Sequence, residues 1–329
     1  MTALALDVVG VGNAIVDVLA NSDEAFLADH HIVKGGMTLI DEAQAAAIYG
    51  AMAPGVEVSG GSAANTIACL ASLGGRGGFI GKVADDALGG IFAHDLKSLG
   101  VDFQTTPLQD GPGTGRCLVN VTPDAQRSMS TFLGAAGFVS PDDVNPGFIA
   151  GAAVTYFEGY LFEQETPRQG FVKACEAARA AGRKTALTLS DSGCVERNHQ
   201  AFTDFIAAHV DILFANEDEA RALFGDGDLE AAARAACPLT AVTRSEHGSV
   251  LIPRDGDTVN VDAIPPAQLV DTTGAGDAYA AGMLFGIARE LPLATAGALG
   301  ALAASEVISH FGARPQTSLE ALAENAGLI

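Results

Sequence analysis

The segment 270–282 joins a carboxylate to three small residues, at a point where a strand pattern gives way to a helix pattern. Gly274, Ala275 and Gly276 carry no bulky side chain, so the backbone can approach a ligand closely. We expect a helix to begin at about Asp277, and the free amides and dipole of a helix start favour anions. Such amides can stabilise a phosphoryl group in transfer, while Asp277 accepts the proton of an attacking hydroxyl.

A second interpretation of this segment is purely structural. Asp277 could simply complement the helix dipole, and the glycines could simply turn the chain. The helix pattern that follows is apolar on nearly every side, which predicts a buried helix. A carboxylate at a buried helix start is unfavourable unless it has partners or a function, so the pattern favours catalysis.

Two further pairs of polar residues follow strand patterns. Asn13 and Asp17 are four apart, so on an extended segment both face the same side and suit a vicinal diol. A solvated strand edge would account for them equally well. Asn216 and Glu219 are three apart, so a helix start places them on one side. An N-capped acidic helix start would use the same residues.

Two long segments resemble signatures of the ribokinase-like (PfkB) family of carbohydrate and nucleoside kinases. DTTGAGDAYAAGML at 271–284 is similar to its C-terminal signature, and GGSAAN at 60–65 to its N-terminal one. One departure is Ile67, where many members have a small residue. The resemblance implies that Asp277 is the catalytic base. It implies an anion hole formed by Gly274, Ala275 and Gly276.

The resemblance also implies an acceptor site. GNAIVD at 12–17, the stretch 35–40 and the hairpin at 116–133 look more like adenosine kinases than like ribokinases or fructokinases. We therefore expect transfer to a primary (5′) hydroxyl, with adenosine converted to AMP. The alternatives are a sugar kinase acting on ribose, fructose or 2-keto-3-deoxygluconate, and a non-catalytic ligand sensor. The implied substrate-binding residues are Asn13, Asp17, Gly60, Gly61, Ser62, Asn65, Arg127 and Phe132.

The remaining expectations from the resemblance concern ATP and its metal ions. Mg²⁺ is expected near Glu219 through water, and a monovalent cation, K⁺, at Asp271. Ala301 stands where several sugar kinases carry Asn, a departure on the adenine side. The implied ATP-binding residues are Asn216, Thr243, Arg244, Gly248, Gly274, Gly276 and Gly312.

Composition narrows the partners and the compartment. The formal net charge of −22 argues against nucleic acid and anionic membranes as partners. The resemblance implies a small-molecule substrate instead. Five scattered cysteines with no Cys-x-x-Cys pair, and a start without a signal-peptide pattern, favour the cytoplasm. The segment 10–15 is not a dinucleotide-binding GxGxxG motif, because Ile15 stands where the third glycine should be. The motif GxxxxGK[ST] of P-loop NTPases does not occur in the sequence.

Strand patterns that alternate with helix patterns predict an α/β protein. We expect a ribokinase-like three-layer α/β/α domain with a mostly parallel central sheet. The large domain is predicted over 1–12, 59–100 and 135–329, and a small β-rich lid over 13–58 and 101–134. Because strand edges of a lid favour pairing, we also expect a homodimer through it.

Overall fold

The computed structural model describes residues 4–124 and 126–329. In chain order the strands of these residues are β1 (Leu6–Val11), β2 (Ile15–Asn21), β3 (Met37–Leu39), β4 (Val56–Gly60), β5 (Gly77–Ile80), β6 (Asp102–Phe103), β7 (Gly115–Val121), β8 (Arg127–Phe132), β9 (Ala152–Glu158), β10 (Lys184–Thr188), β11 (Ile212–Asn216), β12 (Leu239–Thr243), β13 (Ser249–Pro253) and β14 (Val259–Val261). The helices are α1 (Glu24–Asp29), α2 (Glu42–Ala51), α3 (Ser62–Ser72), α4 (Ala87–Ser98), α5 (Pro146–Ala150), α6 (Glu165–Ala180), α7 (Ser192–Arg197), α8 (His199–His209), α9 (Glu217–Phe224), α10 (Leu229–Ala236), α11 (Ala275–Ala288), α12 (Leu293–Val307) and α13 (Leu319–Asn325).

The large sheet has the strand order β14-β13-β12-β11-β10-β9-β1-β5-β6. Its strands from β12 to β6 are all parallel, and β13 and β14 extend one edge in antiparallel fashion. Adjacent residues of β1 pack into the hydrophobic cores on opposite faces of the sheet. Val8 packs with α3, α11 and α12, whereas Val9 packs with α6 and α8. Apolar residues therefore run almost unbroken along these strands, as expected where helices cover both faces. The predicted three-layer α/β/α fold is confirmed.

A second sheet of five strands, in the order β3-β8-β7-β2-β4, forms the lid. It is mixed: β2 with β7 and β3 with β8 are parallel, while β7 with β8 and β2 with β4 are antiparallel. One face is covered by α2, where Ile48 packs on Val18 and Leu118. The alternate residues of β2 and β7, Asp17 and Cys117, face a cavity on the other side.

Two lid boundaries differ from the prediction. Residues 102–103 form β6 and pair with β5 in the large sheet, so the boundary after residue 100 is wrong. The strand β4 continues to Gly60, past the predicted end of the first lid segment at 58. Both errors arise because a two-residue strand and a strand running into a glycine turn carry no periodic signal. The homodimer through the lid stays a prediction.

Two findings bear on the environment of the chain. None of the helices formed by residues 4–124 and 126–329 is both long and apolar enough to cross a membrane. All five cysteines are buried with free thiols.

The helix α11 packs against α3 and α12 through small residues. Gly282 touches the backbone of Leu299 so closely that an added Cβ would overlap it. We expect Gly282→Ala to lower the free energy of unfolding by about 1–3 kcal/mol, because overpacking outweighs the better helix propensity of alanine. Urea unfolding measures the change. The matched control is Gly90→Ala, in an exposed part of α4 with open space around the site, where no loss is expected. Equal stabilities for the two variants would contradict the close helix contact.

Candidate active site

A cavity of about 1520 Å³ lies between the lid and the carboxyl ends of the large sheet's strands. Crevices at this edge are the usual ligand sites of open α/β sheets. The cavity is lined by the ends of β9, β10, β11 and β12, by the starts of α3 and α11, and by one face of the lid. The site therefore brings together segments from the whole length of the chain.

Asp277 lies in the first turn of α11 and lines the cavity. Its carboxylate accepts a 2.6 Å hydrogen bond from Ser62 Oγ and a 3.3 Å bond from Asn65 Nδ2. Burial raises the pKa of Asp277 to about 6, and these two donors limit the rise. The group is thus a base that is ionised at neutral pH yet basic enough to take a proton.

The helix start differs from the expectation in two respects. The helix α11 begins at Ala275, two residues earlier than predicted, with Gly274 as its N-cap at φ 80° in the left-handed region. The amide of Ala275 donates to Thr272 O at 3.2 Å, so it is already occupied. Helix geometry leaves the amides of Gly276 and Asp277 without intrahelical acceptors. An added Cβ at Gly276 would meet no atom within 4 Å, so this start is open to a ligand.

The residues expected to hold an acceptor divide into a lining set and a supporting set. Asn13, Asp17, Gly61 and Ser62 line the cavity. Asn65 supports Asp277 and accepts a 3.3 Å bond from Arg314 Nε. Burial raises the pKa of Asp17 to about 6, against the opposing charges of Arg314 and Arg127.

Gly60 lies directly beneath Asp17, where a side chain would collide with the carboxylate. It does not line the cavity itself, and it makes room for a residue that does. The half-buried Arg314 was not among the expected site residues. Its loop is more than 290 positions from Asp17 in the sequence, and no local pattern joins the two.

Glu158, the last residue of β9, is a cavity residue that sequence reasoning missed. Its carboxylate accepts a 2.5 Å bond from Asn13 Nδ2 and a 2.9 Å bond from the amide of Ala63. Burial raises the pKa of Glu158 to about 7. Asn13 Oδ1 is buried with no hydrogen-bond partner in the described chain, so it remains available as an acceptor for a ligand hydroxyl. The one available signal was a charged residue ending an otherwise apolar strand.

The lid corrects one expected residue. Met129, Thr131 and Leu133 line the cavity, and Phe132 does not. Residues of a strand alternate between its faces, so Phe132 points to the opposite face, where its ring lies 6.0 Å from the Arg116 guanidinium.

Arg127, at the start of β8, is paired rather than free to face a ligand. Its Nη2 lies 2.6 Å from Asp271 Oδ2, and its Nη1 lies 3.5 Å from Thr273 Oγ1. Arg127 is not among the cavity-lining residues, and its contact with the substrate stays a prediction.

The residues expected to bind ATP lie mainly on the far side of Asp277. Those that line the cavity are Asn216, Thr243, Gly248, Gly274 and Gly276. Arg244 does not line it, because its guanidinium contacts His247 O and Asn260 Oδ1 at 3.4 and 3.3 Å. Gly312 also lies outside the lining and donates its amide to Asp271 at 3.0 Å.

Comparison with known proteins agrees with this architecture. Residues 47–320 match the sequence profile of the pfkB family carbohydrate kinases. The chain belongs to the pfkB family. It is accordingly a phosphotransferase that acts on hydroxyl groups.

This kinase is similar to several named proteins, two of them with solved structures. It is 47% identical to adenosine kinase from Sinorhizobium meliloti (TM-score 0.90; 98% of this chain and 99% of that one). It is 44% identical to a probable sugar kinase from Rhizobium etli (TM-score 0.92; 99% and 100%). It is 28% identical to 5-dehydro-2-deoxygluconokinase from Geobacillus kaustophilus, over 76% of this chain and 78% of the relative.

The residues expected to bind metal ions suit Mg²⁺ but not K⁺. No cluster of three or more His, Cys, Asp or Glu that could hold a metal occurs in the described part of the chain. Mg²⁺ commonly uses one or two carboxylates together with phosphate oxygens and water, and the buried, cavity-facing Glu219 fits that role. The carboxylate of Asp271 is already bound by Arg127, Thr273 and Gly312, so it does not fit K⁺.

Asp277 yields a prediction about the pH dependence of this kinase. A base with a pKa of about 6 loses its function as it is protonated, so kcat/KM should fall as the pH drops below 6. We expect Asp277→Asn to lower kcat by about 10²–10⁴-fold at pH 7.5. Steady-state kinetics from pH 5 to 8 measure both effects, and melting temperatures verify that the variant is folded. A kcat of Asp277→Asn within tenfold of the wild-type value would contradict this role. So would a wild-type kcat/KM that does not fall at acid pH.

Glu158 yields a prediction about stability. Its pKa is about 7 in the folded protein, against 4.5 for a free glutamate. The stabilisation by the protonated carboxyl is therefore complete below pH 4.5 and lost as the pH rises through 7. Between pH 4.5 and 8 we expect the unfolding free energy of wild type to fall by about 3 kcal/mol relative to Glu158→Gln.

Urea unfolding at a series of pH values measures this difference. The same substitution at the exposed Glu196 is the matched control. A wild type minus Glu158→Gln difference that stays constant over the range would show that burial does not hold the proton on Glu158.

Proposed function

We propose that this protein is an ATP-dependent adenosine kinase, which transfers the γ-phosphate of ATP to the 5′-hydroxyl of adenosine and releases AMP and ADP. The observation that carries the proposal is the lid face of the cavity. There, apolar side chains lie on the same cavity-facing side of the lid sheet as Asp17. They are Met37, Leu39, Met129 and Leu133.

The exposure of these side chains favours a nucleoside over a free sugar. Met37 and Leu39 are 39% and 49% exposed, although both line the cavity. A nucleobase would cover them and remove apolar surface from water, whereas a free sugar presents hydroxyls in every direction. Asp17 and the unpartnered Asn13 Oδ1 suit the two ribose hydroxyls.

The size of the cavity supports two ligands. About 1520 Å³ exceeds the ~300–1,000 Å³ of a typical single-ligand pocket. Adenosine would occupy the lid side and ATP the side of Thr243 and Gly248, with Asp277 between them. The 47% identity to the Sinorhizobium adenosine kinase over nearly the whole chain supports the same acceptor.

The proposed reaction is an in-line displacement at the γ-phosphorus. Asp277 accepts the proton as the 5′-oxygen forms its bond to phosphorus, and the bond to the β–γ bridging oxygen breaks with its electron pair leaving on ADP. The amides of Gly276 and Asp277 face the charge that develops on the transferring group. Mg²⁺ beside Glu219 would neutralise phosphate charge when bound. The lid excludes water from the transfer.

A sugar kinase is the second candidate. The 44% identity to the probable sugar kinase of Rhizobium etli and the match to 5-dehydro-2-deoxygluconokinase favour it. In that case the apolar lid residues would remain partly exposed in the complex, and truncating them would leave the acceptor KM unchanged.

The test is a Mg·ATP-dependent phosphorylation assay with adenosine, inosine, cytidine, ribose, fructose and 2-keto-3-deoxygluconate. We expect adenosine to have the highest kcat/KM. The variant Leu39→Ala would lose about 50 Å² or more of apolar contact with the nucleobase. This loss should raise the adenosine KM by about tenfold.

The matched control is Val56→Ala, an exposed apolar residue of the lid strand β4 that does not line the cavity. It should leave the adenosine KM unchanged. Turnover of a free sugar in preference to every nucleoside, with Leu39→Ala as active as wild type, would replace adenosine by that sugar.

A further inference from the structure

The ion pair between Arg127 and Asp271 joins the lid to the loop that precedes the anion hole. Arg127 begins the lid strand β8, and Asp271 lies four residues before the helix α11. The two side chains are only 13% and 5% exposed, and Nη2 lies 2.6 Å from Oδ2. A charge-assisted bond of this length between buried groups is among the stronger polar contacts in proteins.

The carboxylate of Asp271 also organises the two loops around the anion hole. Its Oδ1 accepts from the amide and hydroxyl of Thr273 at 3.1 and 2.8 Å. Its Oδ2 accepts from the amide of Gly312 at 3.0 Å, in addition to Arg127. One carboxylate thus holds the start of the Gly274–Asp277 turn and the loop after α12 in register.

A buried carboxylate with four bonds still needs a compensating positive charge. Removing one partner of such a pair leaves an uncompensated charge in a poorly solvated place. Resemblance to the pfkB family assigned that charge to K⁺. Here a guanidinium occupies the position, and it has no lone pair with which to coordinate a cation. A second cation on Oδ2 would also be repelled by it at short range.

We infer that Arg127 takes the place of a monovalent cation at Asp271, so that the lid itself supplies the charge that orders the anion-hole loop and the kinase does not depend on K⁺. Arg127 is a positioning residue in this role, because it acts on the amides of Gly276 and Asp277 through the loop. Its guanidinium is steadied by Thr273 Oγ1 at 3.5 Å and by the ring of Phe311 at 5.5 Å.

The experiment compares wild type with Arg127→Gln and Arg127→Lys in KCl and in tetramethylammonium chloride at equal ionic strength. The matched control is Arg116→Gln, a second lid arginine that lies 5.5 Å over the Tyr49 ring. Two readouts are taken: the rate of Mg·ATP-dependent phosphorylation, and the melting temperature. The melting temperature needs no acceptor, so failure of this inference is distinguishable from a wrong choice of adenosine in the proposed function.

For wild type, and likewise for Arg116→Gln, we expect the melting temperature to be the same in KCl and in tetramethylammonium chloride. The rates of each protein in the two salts should agree within about twofold. Arg127→Gln should be slower by about tenfold or more in tetramethylammonium chloride, and K⁺ should restore part of the rate and raise its melting temperature. Arg127→Lys, which keeps the charge without the planar fork, should lie between the two. Adding Asp271→Asn to Arg127→Gln should abolish the K⁺ effect, because the carboxylate that binds the ion is gone.

Two results would overturn the inference. The first is a wild-type enzyme that K⁺ activates by about tenfold or more over tetramethylammonium, because the guanidinium would then not replace the ion. The second is an Arg127→Gln variant whose rate and melting temperature are both unaffected by K⁺.

Discussion

The site depends on keeping an ionised carboxylate at the start of a buried helix. Asp277 meets this constraint through donors from another helix start, Ser62 and Asn65 of α3. The start of α3 is in turn held by Glu158, which accepts the amide of Ala63. The position of the base therefore depends on the place where β9, α3 and α11 meet. Small residues on α3 and α11 let the two helices approach closely enough for these hydrogen bonds to form.

Charge is the second constraint, because a chain with a formal net charge of −22 has to accept a polyphosphate. Seven carboxyl side chains of the described residues line the cavity, and burial raises the pKa of four of them. Asp17 and Asp277 are raised to about 6, and Glu158 and Glu219 to about 7. Partial protonation of the latter two near neutral pH lowers the negative charge that the phosphates meet. Backbone amides at helix starts and two half-buried arginines, Arg127 and Arg314, offset more of it.

Local patterns were sufficient for the fold and for the residues nearest the chemistry. Alternating strands and helices predicted the three layers, and the small residues before Asp277 predicted an open helix start. Contacts across long sequence separations were not predictable. Glu158 binds residues 145 and 95 positions away, and Arg127 binds Asp271 from a distant hairpin. The error at Phe132 was different in kind. The hairpin was predicted, and alternation along its second strand places Phe132 on the face opposite to Met129 and Thr131.

The register of β8 links acceptor recognition to the order of the anion hole. Arg127, Met129 and Thr131 share one face of this strand, and a shift of one residue would turn all three side chains to the opposite face of the lid sheet. Pairing with β7 holds the register, from Val121 opposite Arg127 to Arg116 opposite Phe132. The apolar lining that β8 gives the cavity and the ion pair to Asp271 therefore depend on the same strand register. The strand that supplies Met129 and Thr131 to the cavity thus also supplies the arginine that is paired with Asp271 before the anion hole.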